Sequence, residues 1–373
     1  MGYGGGGGGG GGSGGSGGGS GASGGSGYRR VGDDRTANLK VNNITSRDGK
    51  RGTDVDGIVE AKGTHFIPPS GTTAERGSRG RGLFGLLFES PANLNIIEYT
   101  TIATLGNTTD FGDLTAARRF AQSSSSSTRG VWAGGFPTQN TIDYVEIHST
   151  GNAMDFGDRL EIAYDGVGTV SNGTRGYFMG GQPDGGGTIG RLMQYITFAN
   201  KGNATFFGEL SKAAISGAQC SSSTRGLVGG GSEPSAPSVD NVIQYFTLAT
   251  TGDSTDFGDL TSNRGNHSST GSSTRGLFIS GQTPSFTNAI DYVTIASTGN
   301  ALDFGDTTTG GTRATGSTSN SIRGVFAGGY TPTSIKSIDH VTISTTGNAA
   351  DFGDLSQTTM NVRACSDSHG GLG

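Results

Sequence analysis

An Arg-Gly pair that opens a short apolar run recurs at Arg81, Arg129, Arg175, Arg225, Arg275 and Arg323, at spacings of 48, 46, 50, 50 and 48 residues. A repeat of this length is one supersecondary unit that cannot bury its apolar faces alone, so its copies must stack or close on one another. Most of the runs end in small residues, as in Val131-Trp132-Ala133-Gly134-Gly135 and Val325-Phe326-Ala327-Gly328-Gly329. A variable loop follows, then an alternating segment such as Ile142 to Ile147, with a ring at Tyr99, Tyr144, Tyr195, Tyr245, Tyr292 and His340. After a Thr-Gly-Asn or similar turn, the unit closes on Asp-Phe-Gly-Asp. This tetrad stands at Asp110 to Asp113, Asp155 to Asp158, Asp256 to Asp259, Asp303 to Asp306 and Asp351 to Asp354, and in degenerate form at Phe206 to Glu209. Between one tetrad and the next Arg-Gly lies a Ser/Thr-rich stretch, such as Gln122 to Thr128, long enough for one more strand.

Four strands in about 48 residues is the size of one propeller blade. Six units therefore predict an all-β, six-bladed β-propeller over residues 74–373, in which each blade buries both faces against its neighbours. Val362 to Ser366, after the last tetrad, resemble the first strand of a blade. They are expected to join the blade begun at Arg81 and lock the ring.

Two segments precede the repeats. Residues 1–27 are almost entirely Gly and Ser, with too few side chains to offset the entropy lost on ordering. This arm reads either as a flexible linker or as a segment held by another chain, or by copies of itself, in an assembly. Residues 28–73 gain charged and β-branched residues, with turn signals at Asp48-Gly49 and Asp56-Gly57, and read as a small β segment. It is too short for an independent core and is expected to anchor on the propeller or on a partner.

Composition narrows the function classes. With 72 glycines and 15% charged residues the chain reads as turn-dense β protein rather than a helical enzyme. The formal charge is -5, and the acidic excess lies beyond residue 72, which excludes nucleic acid as the expected partner of the propeller. No apolar run approaches the roughly 20 residues that span a bilayer, so membrane insertion is not expected, and the N-terminus lacks the features of a signal peptide.

A glycine doublet after an apolar strand, a Tyr in the next strand and an aromatic residue in the fourth resemble the kelch repeat. Here Phe111, Phe156, Phe257, Phe304 and Phe352 stand where kelch blades often carry Trp. The first unit, with Gly85-Leu86-Leu87, and the fifth, with Ser280-Gly281, depart from the doublet. The segment Gly63-Thr64-His65-Phe66-Ile67-Pro68-Pro69-Ser70-Gly71 resembles the lead-in of tail-fibre or other virion structural proteins of marine bacteriophages, including those of cyanophages.

No catalytic, cofactor-binding or metal-binding residue is assigned. A catalytic motif is needed once, whereas the tetrad recurs in every unit. Its Phe is expected to pack between blades, its Gly to permit a bend, and its carboxylates to satisfy turn amides or pair with Arg. The Arg-Gly pairs read as blade-to-blade ties or channel-lining residues rather than an anion site. His65, His148, His267, His340 and His369 lack ligand spacing. Cys220 and Cys365 fall in first strands of opposite blades, too far apart for a disulfide. The copper-site set of galactose-oxidase-like kelch propellers, the nucleophile elbow and the phosphate-binding loop are not found in the sequence.

The resulting expectation is a phage virion structural protein, a tail fibre, head fibre or decoration. It would anchor to other virion proteins by its arm and display the propeller, whose loops, such as 182–188 and 232–238, would meet a host-surface glycan. A self-polymerising microbial surface or extracellular scaffold is the alternative.

Overall fold

The computed structural model describes residues 80–163, 167–182, 190–232, 239–313 and 315–368. The arm, the segment 28–73 and nearly all of the loops 182–188 and 232–238 lie outside these residues. Every regular element among them is a β-strand, and apart from a two-stranded hairpin, Gln282–Thr283 with Ser285–Phe286, they form six four-stranded antiparallel sheets, the blades of a β-propeller.

Blade 2 shows the plan. Its inner strand is Gln122–Ser125, its second strand Arg129–Ala133, its third Thr141–Glu146 and its outer strand Met154–Asp158. The tetrad thus forms the outer strand, and the Arg-Gly pair opens the second. The inner strands of blades 3 to 6 are Val167–Ser171, Ala218–Ser221, Ser268–Gly271 and Gly316–Ser319. Blade 1 is assembled from both ends of the repeat region. Its inner strand, Arg363–Ser366, pairs antiparallel with Arg81–Glu89, with Leu83 opposite Cys365. The last strand therefore closes the ring, as the sequence predicts.

The core is divided among the six blade interfaces. Phe111 of blade 1, for instance, packs with Val145, Ile147 and Ala153 of blade 2, and Phe352 of blade 6 with Phe84, Leu86 and Ile102 of blade 1. In every blade the tetrad Phe is the extra residue of a β-bulge: Ile142 faces Gly157 and Asp143 faces Asp155, which leaves Phe156 unpaired in the ladder and turned into the interface. The ring of the third strand meets it edge to face, from Tyr99 and Phe111 at 6.0 Å to His340 and Phe352 at 5.9 Å.

Both departures from the doublet fold as blades. Ser280 takes the left-handed conformation (φ 58°) that the first glycine of the doublet takes elsewhere, as Gly328 does at 61°. Blade 1 instead carries its second strand through to Glu89, with a bulge between Leu86 and Phe88.

Candidate functional site

Three repeated devices join the blades, and they separate structural residues from those left over for function. The first is a clamp at the outer strands. In the turn before the outer strand of blade 5, the Gly299 N–H donates to the Phe257 carbonyl of blade 4 (2.8 Å) and the Ala301 N–H to that of Asp259 (2.7 Å). The Asn300 side-chain oxygen in turn accepts from the Asp259 N–H at 3.1 Å. The same triple recurs around the ring, including Asn107 on Asp354 across the closing interface at 3.0 Å. The expectation that tetrad carboxylates satisfy turn amides is corrected here: the backbone of the tetrad makes the clamp, and the capping side chain is the Asn of the turn, or Asp253 in blade 4.

The second device is the Arg of the Arg-Gly pair. Its guanidinium lies over the Tyr of its own third strand, 4.4 Å from the ring centre for Arg275 and Tyr292, and donates to a carbonyl of the next blade, Ile343 at 2.9 Å. Arg81 reaches Ile147 and Arg323 reaches Ile102 in the same way, both at 2.9 Å. In blade 3 the Tyr177 hydroxyl makes the equivalent bond, to the Leu248 carbonyl at 2.6 Å. Of the two roles left open by the sequence, these arginines take the inter-blade one.

The third device was not legible beforehand. The residue before each ring caps the chain that follows the preceding tetrad: Asp143 accepts from the Thr115 N–H (3.1 Å), Gln194 from that of Leu160 (2.7 Å) and Asp339 from that of Thr308 (3.0 Å). Two of these side chains also meet a buried arginine. Arg118 pairs with Asp143 at 2.9 Å, and Arg264 pairs with Asp291, all four side chains being fully buried. Burial lowers the Arg118 pKa, and Asp143 opposes that shift.

The six inner strands run side by side around a central channel. Their Ser/Thr content now has a reason. Each inner strand is a sheet edge, and its carbonyls accept hydroxyls from the next one: Ser125 donates to Ser366 (2.7 Å), Ser366 to Ser319 (2.7 Å) and Ser317 to Ser269 (2.6 Å). The channel narrows to compartments of about 80 and 70 Å³, lined chiefly by small polar side chains. Both cysteines fill small inter-blade gaps, Cys220 against Gly276 and Cys365 against Gly130, where other blades place Thr270 or Ser124. They are free and buried. Burial pushes the Cys220 thiol up to about 12 and raises that of Cys365, so both are inert thiols rather than nucleophiles.

At one mouth the channel opens into a recess of roughly 340 Å³ lined by Phe88, Arg119, Phe120, Asn266, Arg313, Met360 and Asn361. Backbone geometry builds it. Two residues before an inner strand the chain turns through a left-handed residue, at Phe120 (φ 59°), Ser216 (56°), Asn266 (54°) and Asn361 (59°), which delivers each strand into the channel wall. The residue before that forms an isolated bridge to the chain just past the second strand, as Arg119 does to Phe136 and Arg313 to Tyr330. Arg119 therefore sits among rings, 4.7 Å from those of both Phe88 and Phe136 and 5.5 Å from that of Phe120. Arg313 lies 4.8 Å over Tyr330, and its Nη1 donates to the Gln282 side chain at 3.1 Å. Among the described residues that line the recess there is no carboxylate.

No family model and no curated protein matches this sequence. The recess thus has to be read from its own chemistry. Two stacked guanidiniums, an aromatic face and two amides can hold a polar ring by hydrogen bonds and stacking, and they offer no nucleophile or general base. Among the described residues, no three His, Cys, Asp or Glu side chains are grouped so as to hold a metal ion. The histidines are dispersed: His148 is exposed, His340 takes a ring position in blade 6, and His65 and His369 lie outside the described residues. His267 lines the channel just below the recess. Burial, reinforced by the charge of Arg264, pushes its pKa down to about 3, so it is neutral near pH 7.

Proposed function

We propose that this chain is a virion structural protein of a bacteriophage that anchors through its N-terminal arm and displays the propeller as a glycan-binding head. The observation that carries the binding role is the mouth recess, where Arg119, Arg313, Phe120, Asn266 and Asn361 converge at the open end of the channel. Arg81, Arg118, Arg264, Arg275 and Arg323 serve contacts within or between blades, whereas Arg119 and Arg313 face the recess. The kelch likeness of the repeats supports a binding or display role. The likeness of residues 63–71 to phage virion proteins, with the glycine-rich arm before them, supports the virion setting. Cryo-electron microscopy of the native source material tests the reading. The expected result is a six-bladed disc projecting from a particle, with residues 1–73 against capsid, neck or tail proteins. A filament made of this chain alone would overturn it and favour a self-polymerising scaffold.

A further inference from the structure

We propose that the mouth recess selects a sugar carrying a carboxylate, a hexuronate unit, with Arg119 and Arg313 as the groups that receive the negative charge. This rests on the glycan-binding reading above and narrows it to one ligand class. A volume of roughly 340 Å³ lies within the range of small-molecule sites. Its two arginines come from blades 2 and 6, on either side of the closing strand's lead-in at Met360 and Asn361, and both line the recess.

The partners of these arginines set them apart. Arg118 and Arg264 are neutralised by buried carboxylates, and five of the six arginines that open the second strands give hydrogen bonds to carbonyls of the next blade. Neither Arg119 nor Arg313 takes part in an ion pair among the described residues, and the Arg119 Nε is buried with no hydrogen-bond partner. Both side chains are held by aromatic stacking, which fixes the planar fork before a ligand arrives and lowers the entropy lost on binding.

The surroundings favour the same ligand. The tetrads place carboxylates on the outer strand of every blade, while the described lining of the recess has none, so an anion is repelled at the rim and attracted at the mouth. A bare anion would use only the arginines. The amides of Asn266 and Asn361 add partners for the hydroxyls of a sugar ring, and Phe88 and Phe120 make part of the wall apolar.

Isothermal titration of the full chain with an oligoglucuronate, a neutral glucose oligomer of equal length and sodium sulfate tests this. The oligoglucuronate is expected to bind about tenfold or more tightly than the neutral oligomer, with sulfate competing weakly. Arg119→Gln and Arg313→Gln should each lower its affinity by about tenfold or more and leave the neutral oligomer little changed. Lys336→Gln, which removes the same charge at the outer rim, should have no effect. Melting temperatures of all variants separate lost binding from lost folding, and Arg313→Gln carries the test if Arg119→Gln unfolds. Equal affinity for acidic and neutral oligomers overturns the charge selectivity and leaves the glycan reading standing. Sulfate competing as well as the oligoglucuronate, or an equal loss from Lys336→Gln, overturns the site. Binding of no saccharide overturns both.

Discussion

Asp143 and Asp339 occupy the same position in blades 2 and 6, cap the same kind of backbone amide, and differ in one partner. Asp143 faces Arg118, whereas position 312, where an arginine would stand to meet Asp339, is Thr. Burial raises the pKa of Asp339, an effect that hydrogen bonds from Thr308 oppose. A carboxyl whose folded pKa is raised binds more protons in the folded state than in the unfolded one. Its contribution to stability therefore falls as pH rises through that window, and at neutral pH its charge is a net cost. Gln194 and Gln244 show that the position accepts a neutral amide. Asp339→Asn is thus expected to change unfolding free energy at pH 7 by less than about 1 kcal/mol, in either direction. Asp143→Asn leaves Arg118 buried without its counter-charge and should cost about 3 kcal/mol or more. Denaturant titration of the two variants checks this, and equal losses would contradict the distinction.

At the scale of the element, the outer strand shows why the tetrad is what it is. Gly258 has φ +147°, and a Cβ there would stand 2.5 Å from the Gly299 carbonyl oxygen of the next blade. Gly299 itself has φ +154° but nothing within 4 Å of a Cβ. Both glycines carry backbone strain if replaced, whereas the clash belongs to Gly258 alone. Gly258→Ala should therefore destabilise by about 2 kcal/mol or more beyond Gly299→Ala, read from thermal melts of both variants. Similar losses would show that the blades do not need this close approach. The same contrast explains what the sequence could reveal. The tetrad, the Arg-Gly pair, the ring and the closing strand solve a problem posed at every interface, so they recur and are legible by counting. The recess uses the position three residues before the inner strand, occupied by Arg119, Ile215, Gly265, Arg313 and Met360 in five blades, where no residue is shared by more than two. A search for repetition passes over such a position. Aligning the blades and asking where they disagree in charge and size would have pointed to it.

Across the propeller, the structural roles are divided by radius. The outer rim carries the clamps, the middle strands carry the packed interfaces, and the inner strands make a polar wall from serine hydroxyls. Closure ties these layers to the site, because the chain that supplies the last inner strand passes first through Met360 and Asn361 at the mouth. Fold alone does not dictate a ligand, since propellers serve many functions, so the mouth must be tested directly. Amide hydrogen exchange of the full chain with and without a saturating oligoglucuronate does this in one experiment. Protection on binding is expected at Arg119 to Ala121, Asn266, Arg313 and Met360 to Val362, with the tetrads unchanged. Protection confined to the tetrad strands, or none at the mouth while the saccharide binds, would contradict the assignment of the binding site to this end of the channel.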